Sequence, residues 1–188
     1  MLSSHIATAP GAVACLDALL YNICDDNEGV LVPGPYWNGF DFGFHVRSKV
    51  KPILVDLDDI DTNFTSELIF VLEKALKNAT CPVKALVITN PHNPLGICYS
   101  KDTLEQLIKF CDSHAIHFIS DEVYGLSVFE PKDEPVLQPF VSVLSLDLDS
   151  LKVERSRVHM VWGTSKDFGQ SGLRMVRPYI PMFKMILN

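Results

Sequence analysis

The sequence lacks any run of about 18 apolar residues, the length a membrane-spanning helix needs. No basic segment with a long apolar stretch behind it follows Met1, so a secretory leader is not expected either. Cysteine is sparse: Cys15, Cys24, Cys81, Cys98 and Cys111 are an odd number, widely spaced and without a CxxC pair. That spacing argues against a disulfide framework and suits reduced thiols in the cytoplasm. Positive charge is short, with 16 Lys+Arg against 23 Asp+Glu and a net charge of −7, and it forms no cluster, so nucleic acid is not an expected partner. The six histidines show no metal-ligand spacing. His114 and His117, three apart at a helix-to-strand junction, suit a surface better than a zinc site, and no metal is expected. Internal repeats and low-complexity tracts are absent.

What is there is enough apolar material for a core. Of 188 residues, 47% are hydrophobic and 21% charged, and a chain of this size buries roughly 70% of its unfolded surface without needing covalent staples. Short β-branched runs alternate with helical periods, the pattern of βαβ units. Strands are expected at Val30–Pro33, Pro52–Leu57, Ala85–Thr89, His117–Ser120 and His159–Trp162. Helices are expected where Leu16, Leu19, Leu20 and Ile23, then Leu68, Ile69, Leu72 and Leu76 (within Thr65–Asn78), then Leu104, Leu107, Ile108 and Cys111 repeat at helical spacing. Ser100 is placed to cap the last of these. Glu130–Pro139, with three prolines, reads as a loop. Leu173–Leu187, broken by Pro178 and Pro181, suits an edge strand followed by irregular chain. The fold class expected is α/β, a mostly parallel sheet with helices on both faces.

Such sheets bind ligands beyond the carboxyl ends of their strands, and the segments there are polar. Asn90-Pro-His-Asn-Pro-Leu-Gly96 follows the third strand, Asp121-Glu-Val-Tyr124 the fourth, and Gly163-Thr-Ser-Lys-Asp-Phe-Gly169 the fifth. Each piece alone has a plain explanation: turn residues, a helix cap, a packed tyrosine, a solvated lysine. Their arrival on one rim from successive strands argues for a site. A lysine walled by apolar strands, with Arg174 eight residues on, has two reasons for a depressed pKa. It is a candidate imine-forming nucleophile.

The stretches PGPYWNGF, ITNPHNPLG, ISDEVYGLSVFE and WGTSKDFGQSGLR resemble the fold-type-I pyridoxal-phosphate enzymes of aminotransferase class I/II. The wording is most similar to 1-aminocyclopropane-1-carboxylate synthase and its synthase-like relatives, and the likeness runs from about Ile6 to Arg174. The resemblance implies a pyridoxal 5'-phosphate cofactor, an α-amino acid substrate and a homodimer. It implies that residues 1–188 are part of the cofactor-binding large domain, without the N-terminal segment and the C-terminal small domain. Lys166 would hold the cofactor as an aldimine and shuttle the α-proton. Asp121 would pair with the pyridine nitrogen, Asn93 and Tyr124 with the phenolic oxygen, and Trp37 would stack on the ring. Gly11, Ala12 and Val13, with Ser165 and Arg174, would bind the phosphate. Gly163 stands where the family often has a phosphate-binding serine, Val176 stands where it prefers Gly or Ala, and the resemblance ends after Arg174. Three functions follow: an aminotransferase or synthase-type lyase, a cofactor-binding but crippled relative, and a truncated interaction module.

Overall fold

The computed structural model of the chain describes residues 5–129, 138–173 and the backbone of 176–179. Helix α1 (Ala12–Ile23) leads into strand β1 (Gly29–Pro33), followed by α2 (Gly39–His45), β2 (Lys51–Val55), α3 (Glu67–Asn78), β3 (Val83–Thr89), α4 (Lys101–Ser113) and β4 (His117–Asp121). Short α5 (Leu148–Leu151) precedes β5 (Val158–Gly163), α6 (Thr164–Asp167) and β6 (Val176–Tyr179). The six strands form one sheet in the order β2-β1-β3-β4-β5-β6. The first five run parallel and β6 is antiparallel on the edge.

Alternation along each strand builds two cores. Leu31, Leu86, Ile88 and Phe118 face one side, where α3 contributes Leu68 and Leu72 and α4 contributes Leu104, Leu107, Ile108 and Cys111. Val30, Val32, Ala85, Val87, Ile119 and Val161 face the other, against Leu16, Leu19 and Leu20 of α1 and Phe40 and Phe44 of α2. Because both faces are covered, the central strands carry almost no polar residues until their ends. Ser100 caps α4 as its spacing implies, its side chain accepting from Thr103 N at 3.0 Å.

The structure corrects several expected boundaries. β2 stops at Val55 rather than Leu57, and α3 begins at Glu67 behind a 3₁₀ turn at Ile60–Phe64. α2 was not expected, although Phe40 and Phe44 are four apart and stack at 5.0 Å. His117 is not a surface residue: it is partly buried, with its Nδ1 2.8 Å from Nε2 of the buried His159. His114 lies apart from it, 2.9 Å from Glu73. Of the expected Glu130–Pro139 loop, residues 130–137 lie outside the described residues, as does most of Leu173–Leu187 apart from β6.

Candidate functional site

Cys15, near the start of α1, feels the charge of Asp121 at the carboxyl end of β4, so the N-terminus of α1 lies at that edge of the sheet. Gly11 opens it at φ 108°, a backbone that residues with a Cβ rarely adopt. No side chain caps this helix and no acidic residue occupies its first turn. The backbone N–H groups of Ala12 and Val13 therefore have no acceptor within the helix, and the end of the helix favours an anion.

Asp121 ends β4 on the α1 side of the sheet and is 5% exposed. Burial pushes its carboxyl up to about 7, against the pull of the Val123 N–H, with the Glu122 charge adding to the rise and Lys166 opposing it. Val123 N donates to its Oδ1 at 3.3 Å. Cys15 of α1 shares the environment: burial, then the Asp121 charge, pushes its thiol up to about 12. Strand alternation turns Glu122 to the opposite side. There it accepts hydrogen bonds from Ser142 Oγ (2.6 Å), Val143 N (2.9 Å) and Ser120 Oγ (3.1 Å). Burial outweighs these donors and raises its carboxyl to about 7.

At the end of β5, α6 presents Lys166, whose Nζ lies 5.8 Å from the centroid of the Tyr124 ring, within cation–π range. The expectation that apolar strands would desolvate this lysine is not met. Lys166 is exposed, because α6 sits on the rim beyond the strand rather than between the layers. Beside it, Ser165 Oγ is buried without a hydrogen-bond partner among the described residues. Asp167 accepts from Trp162 Nε1 at 2.7 Å, Leu126 N at 3.0 Å and Ser127 Oγ at 2.6 Å. Arg174 lies outside the described residues.

The loop after β3 is held from within. Asn90 Nδ2 donates to Val141 O (3.0 Å) while its Oδ1 accepts from Tyr99 N (3.1 Å). Buried His92 accepts from Leu95 N at Nδ1 (3.4 Å), and burial lowers its pKa to about 4 against the pull of the Pro35 carbonyl. Asn63, fully buried, accepts from Tyr99 Oη at 2.7 Å, reaches Gly34 O at 3.4 Å and touches His92 Nε2 at 3.2 Å. These contacts tie the Asn93 loop to the Gly34–Trp37 turn. Asn93 is half-buried. Trp37, 36% exposed, packs edge-on against Phe40 at 5.5 Å.

The structure thus brings Asp121, Tyr124, Ser165 and Lys166 to adjacent strand ends, with Gly11, Ala12 and Val13 at the same edge. Asn93 and Trp37 reach that edge on separate loops. Among the described residues neither makes a side-chain hydrogen bond or ring contact with Asp121, Tyr124 or Lys166. Sequence reasoning missed Asp167, although it stands next to the lysine in TSKDFG. It also missed His92 inside NPHNP, and Glu122 and Asn63, whose partners are distant in sequence.

The model of the family described as aminotransferase class I and II matches residues 2–176. "Probable aminotransferase aclI" of Aspergillus oryzae is 50% identical over 171 residues, covering 91% of this chain and 41% of that protein. "Probable inactive 1-aminocyclopropane-1-carboxylate synthase-like protein 2" of Mus musculus is 38% identical over 179 residues, covering 90% of this chain and 29% of that protein. The chain spans about two-fifths or less of the length of these curated relatives. In fold it is similar to the aspartate aminotransferase of Thermus thermophilus with maleate, at TM-score 0.76 and 23% identity over 96% of this chain and 42% of the other. It is also similar to the PLP-bound C-S lyase of Staphylococcus hominis, at TM-score 0.75 and 19% identity over 96% of this chain and 42% of the other.

Proposed function

Because this chain belongs to the aminotransferase class I and II family, we propose that it forms part of the cofactor-binding domain of a pyridoxal 5'-phosphate-dependent aminotransferase acting on an α-amino acid. The observation that carries the reading is the buried Asp121 carboxylate sharing one rim with the Lys166–Tyr124 pair. The donor set fits the cofactor. Ser165 Oγ is a buried polar atom with no partner among the described residues, and the uncapped end of α1 favours a phosphate. Asp121, with its carboxyl raised to about 7, accepts from the Val123 N–H and has no cationic N–H partner among the described residues, the kind of partner a protonated pyridine ring offers. When bound, the cofactor supplies an electron sink for the carbanion left by breaking a Cα–H bond.

The chain's own residues then divide the work. Asp121 would hold the proton on the ring nitrogen by charge-assisted hydrogen bonding. Ser165 Oγ and the Gly11–Val13 backbone would hold the phosphate, with Arg174 as the resemblance implies. Tyr124 Oη and Asn93 Nδ2 would donate to the phenolic oxygen, and Trp37 would cover one ring face. Lys166 would hold the cofactor through Nζ and move the α-proton as general base and acid. Its exposed position on α6 leaves Nζ free to swing between these tasks. A homodimer whose second copy covers Leu126, Phe129 and Phe168, exposed beside the lysine turn, belongs to the same reading.

The 50% identity to a relative named as an aminotransferase favours amino transfer over synthase-type elimination. A second reading, a catalytically weak or inactive cofactor-binding relative, is favoured by the 38% identity to the relative named inactive. Product analysis with amino acid and keto acid pairs, and with S-adenosylmethionine, separates the three.

The first test is spectroscopic. Adding pyridoxal 5'-phosphate to the purified chain should produce the visible absorbance of lysine-bound cofactor, and Lys166→Ala should abolish it. Lys166 is exposed, so its truncation should move stability by no more than about 0.5 kcal/mol. Identical spectra for wild type and variant would overturn the proposal.

A further inference from the structure

The Asp167 carboxylate joins three segments that the lysine turn alone does not connect. Its Oδ2 accepts from the indole Nε1 of Trp162 on β5 (2.7 Å) and from the backbone N of Leu126 (3.0 Å). Its Oδ1 accepts from Ser127 Oγ (2.6 Å). Leu126 and Ser127 belong to the turn that begins at Tyr124, closed by Ser127 N donating to Tyr124 O at 2.9 Å. The preceding step, Gly125 N to Glu122 O at 2.9 Å, leaves so little room that a Cβ on Gly125 would lie 3.0 Å from Phe140 and 3.1 Å from the Glu122 carbonyl. The turn is therefore pinned at its start by packing and at its end by one carboxylate. That carboxylate is adjacent to Lys166 in the chain. On the other side the Trp162 ring meets Phe168 edge-on at 6.1 Å, which fixes the indole that anchors Asp167 to the sheet.

We propose that Asp167 is a positioning residue: through Leu126 and Ser127 it holds the Tyr124 turn against the lysine turn and so sets the approach of the Tyr124 ring to Lys166. A carboxylate suits this task because it accepts at both oxygens, as all three neighbours donate to it. An amide could keep the contacts, its oxygen accepting from Leu126 and Trp162 and its N–H₂ donating to the Ser127 hydroxyl, whereas alanine removes all three. The inference rests on the cofactor reading above, in which Tyr124 would donate to the phenolic oxygen; that donation would stabilise negative charge on the oxygen. Loosening the turn weakens that donation. The pH at which lysine-bound cofactor changes its absorbance should then rise.

The test compares Asp167→Ala, Ser127→Ala and Tyr124→Phe with wild type, each loaded with pyridoxal 5'-phosphate and titrated by visible absorbance. Asp167→Ala should raise the midpoint by about one pH unit, the order expected for losing one hydrogen bond to a titrating group. Ser127→Ala, exposed and removing one of the three donors, should raise it by less and still fold. In the Tyr124→Phe background Asp167→Ala should move the midpoint no further, since the residue acts through Tyr124. Independently of cofactor, amide exchange at Leu126 should quicken in Asp167→Ala, because its N–H loses its acceptor. Unchanged midpoints in Asp167→Ala and Ser127→Ala, with the wild-type band present, would overturn the positioning role and leave the cofactor reading standing. A full additional shift in the Tyr124→Phe background would also overturn it. The absence of any lysine-dependent band in wild type would instead overturn the cofactor reading, while unchanged Leu126 exchange would refute the clamp itself.

Discussion

Replacing Asp121 with Asn in the cofactor-free chain removes a carboxyl that burial holds at about 7, while the same group titrates near 3.8 when unfolded. The folded value is the higher one, so between them the folded state keeps a proton that the unfolded state has lost. Stability therefore falls as pH rises through that window and levels off above it. Three units at 1.36 kcal/mol each set an outer limit of about 4 kcal/mol, and an interior more polarisable than dry protein brings the working figure to roughly 2–4 kcal/mol. Asn keeps the shape of the protonated acid, and its Oδ1 can still accept from Val123 N, 3.3 Å away in the wild type. The assay is urea unfolding of both proteins at pH 5 and pH 8. The variant should be the more stable at pH 8, with the gap widening by roughly 1–3 kcal/mol from the lower pH to the higher. Loading with pyridoxal 5'-phosphate should reverse the order, since the variant lacks the anion that pairs with the ring nitrogen. A gap that stays constant between the two pH values would refute the reasoning, because burial would then not be holding Asp121 protonated.

The buried histidine pair acts in the opposite sense. Burial, with Arg157 and Lys84 nearby, lowers His117 to about 4, and burial with His117 beside it lowers His159 to about 3, both from 6.5. The unfolded chain therefore takes up protons first, and stability is lost as pH falls from 6.5 toward 4. His159→Gln should flatten that decline in melting temperatures measured across the range, and an unaltered slope would dismiss the pair as its source. Tyr99→Phe removes a buried hydroxyl that donates to Asn63 Oδ1 at 2.7 Å and should cost about 1–3 kcal/mol in urea unfolding. A loss under about 0.3 kcal/mol would mean the Asn63 network re-pairs without it.

Much of this was legible because it depends on near neighbours in the chain. β-branched runs marked all five parallel strands. The Ser100 cap followed from a hydroxyl ahead of an apolar stripe, and Asp121, Tyr124 and Lys166 stood out because polar residues ended otherwise apolar strands. α2 was missed although its signal was present, in aromatic residues four apart. The tail of β2 was overread because apolar Leu57 continues the run past the last paired residue. Nothing local announced that Glu122 would receive Ser142 and Val143, or that Asp167 would receive Leu126 and Ser127. Those partners lie 20 and 40 or more residues away.

Alternation and helical spacing sufficed to specify the layered sheet, because burial of apolar faces depends on period and not on which element packs opposite. The same pattern specified the rim, since polar groups can end a buried strand only where the layers open. Whether a group at that rim is buried or solvated depends on what other strands and loops bring beside it. Packing from α1 closed over Asp121 and raised its carboxyl, whereas Lys166, one strand further on, was left in solvent on a helix that projects past the sheet. The bonds of Asp167 likewise became possible only when parallel pairing set β4 beside β5 and brought two turns, distant in sequence, within hydrogen-bonding reach.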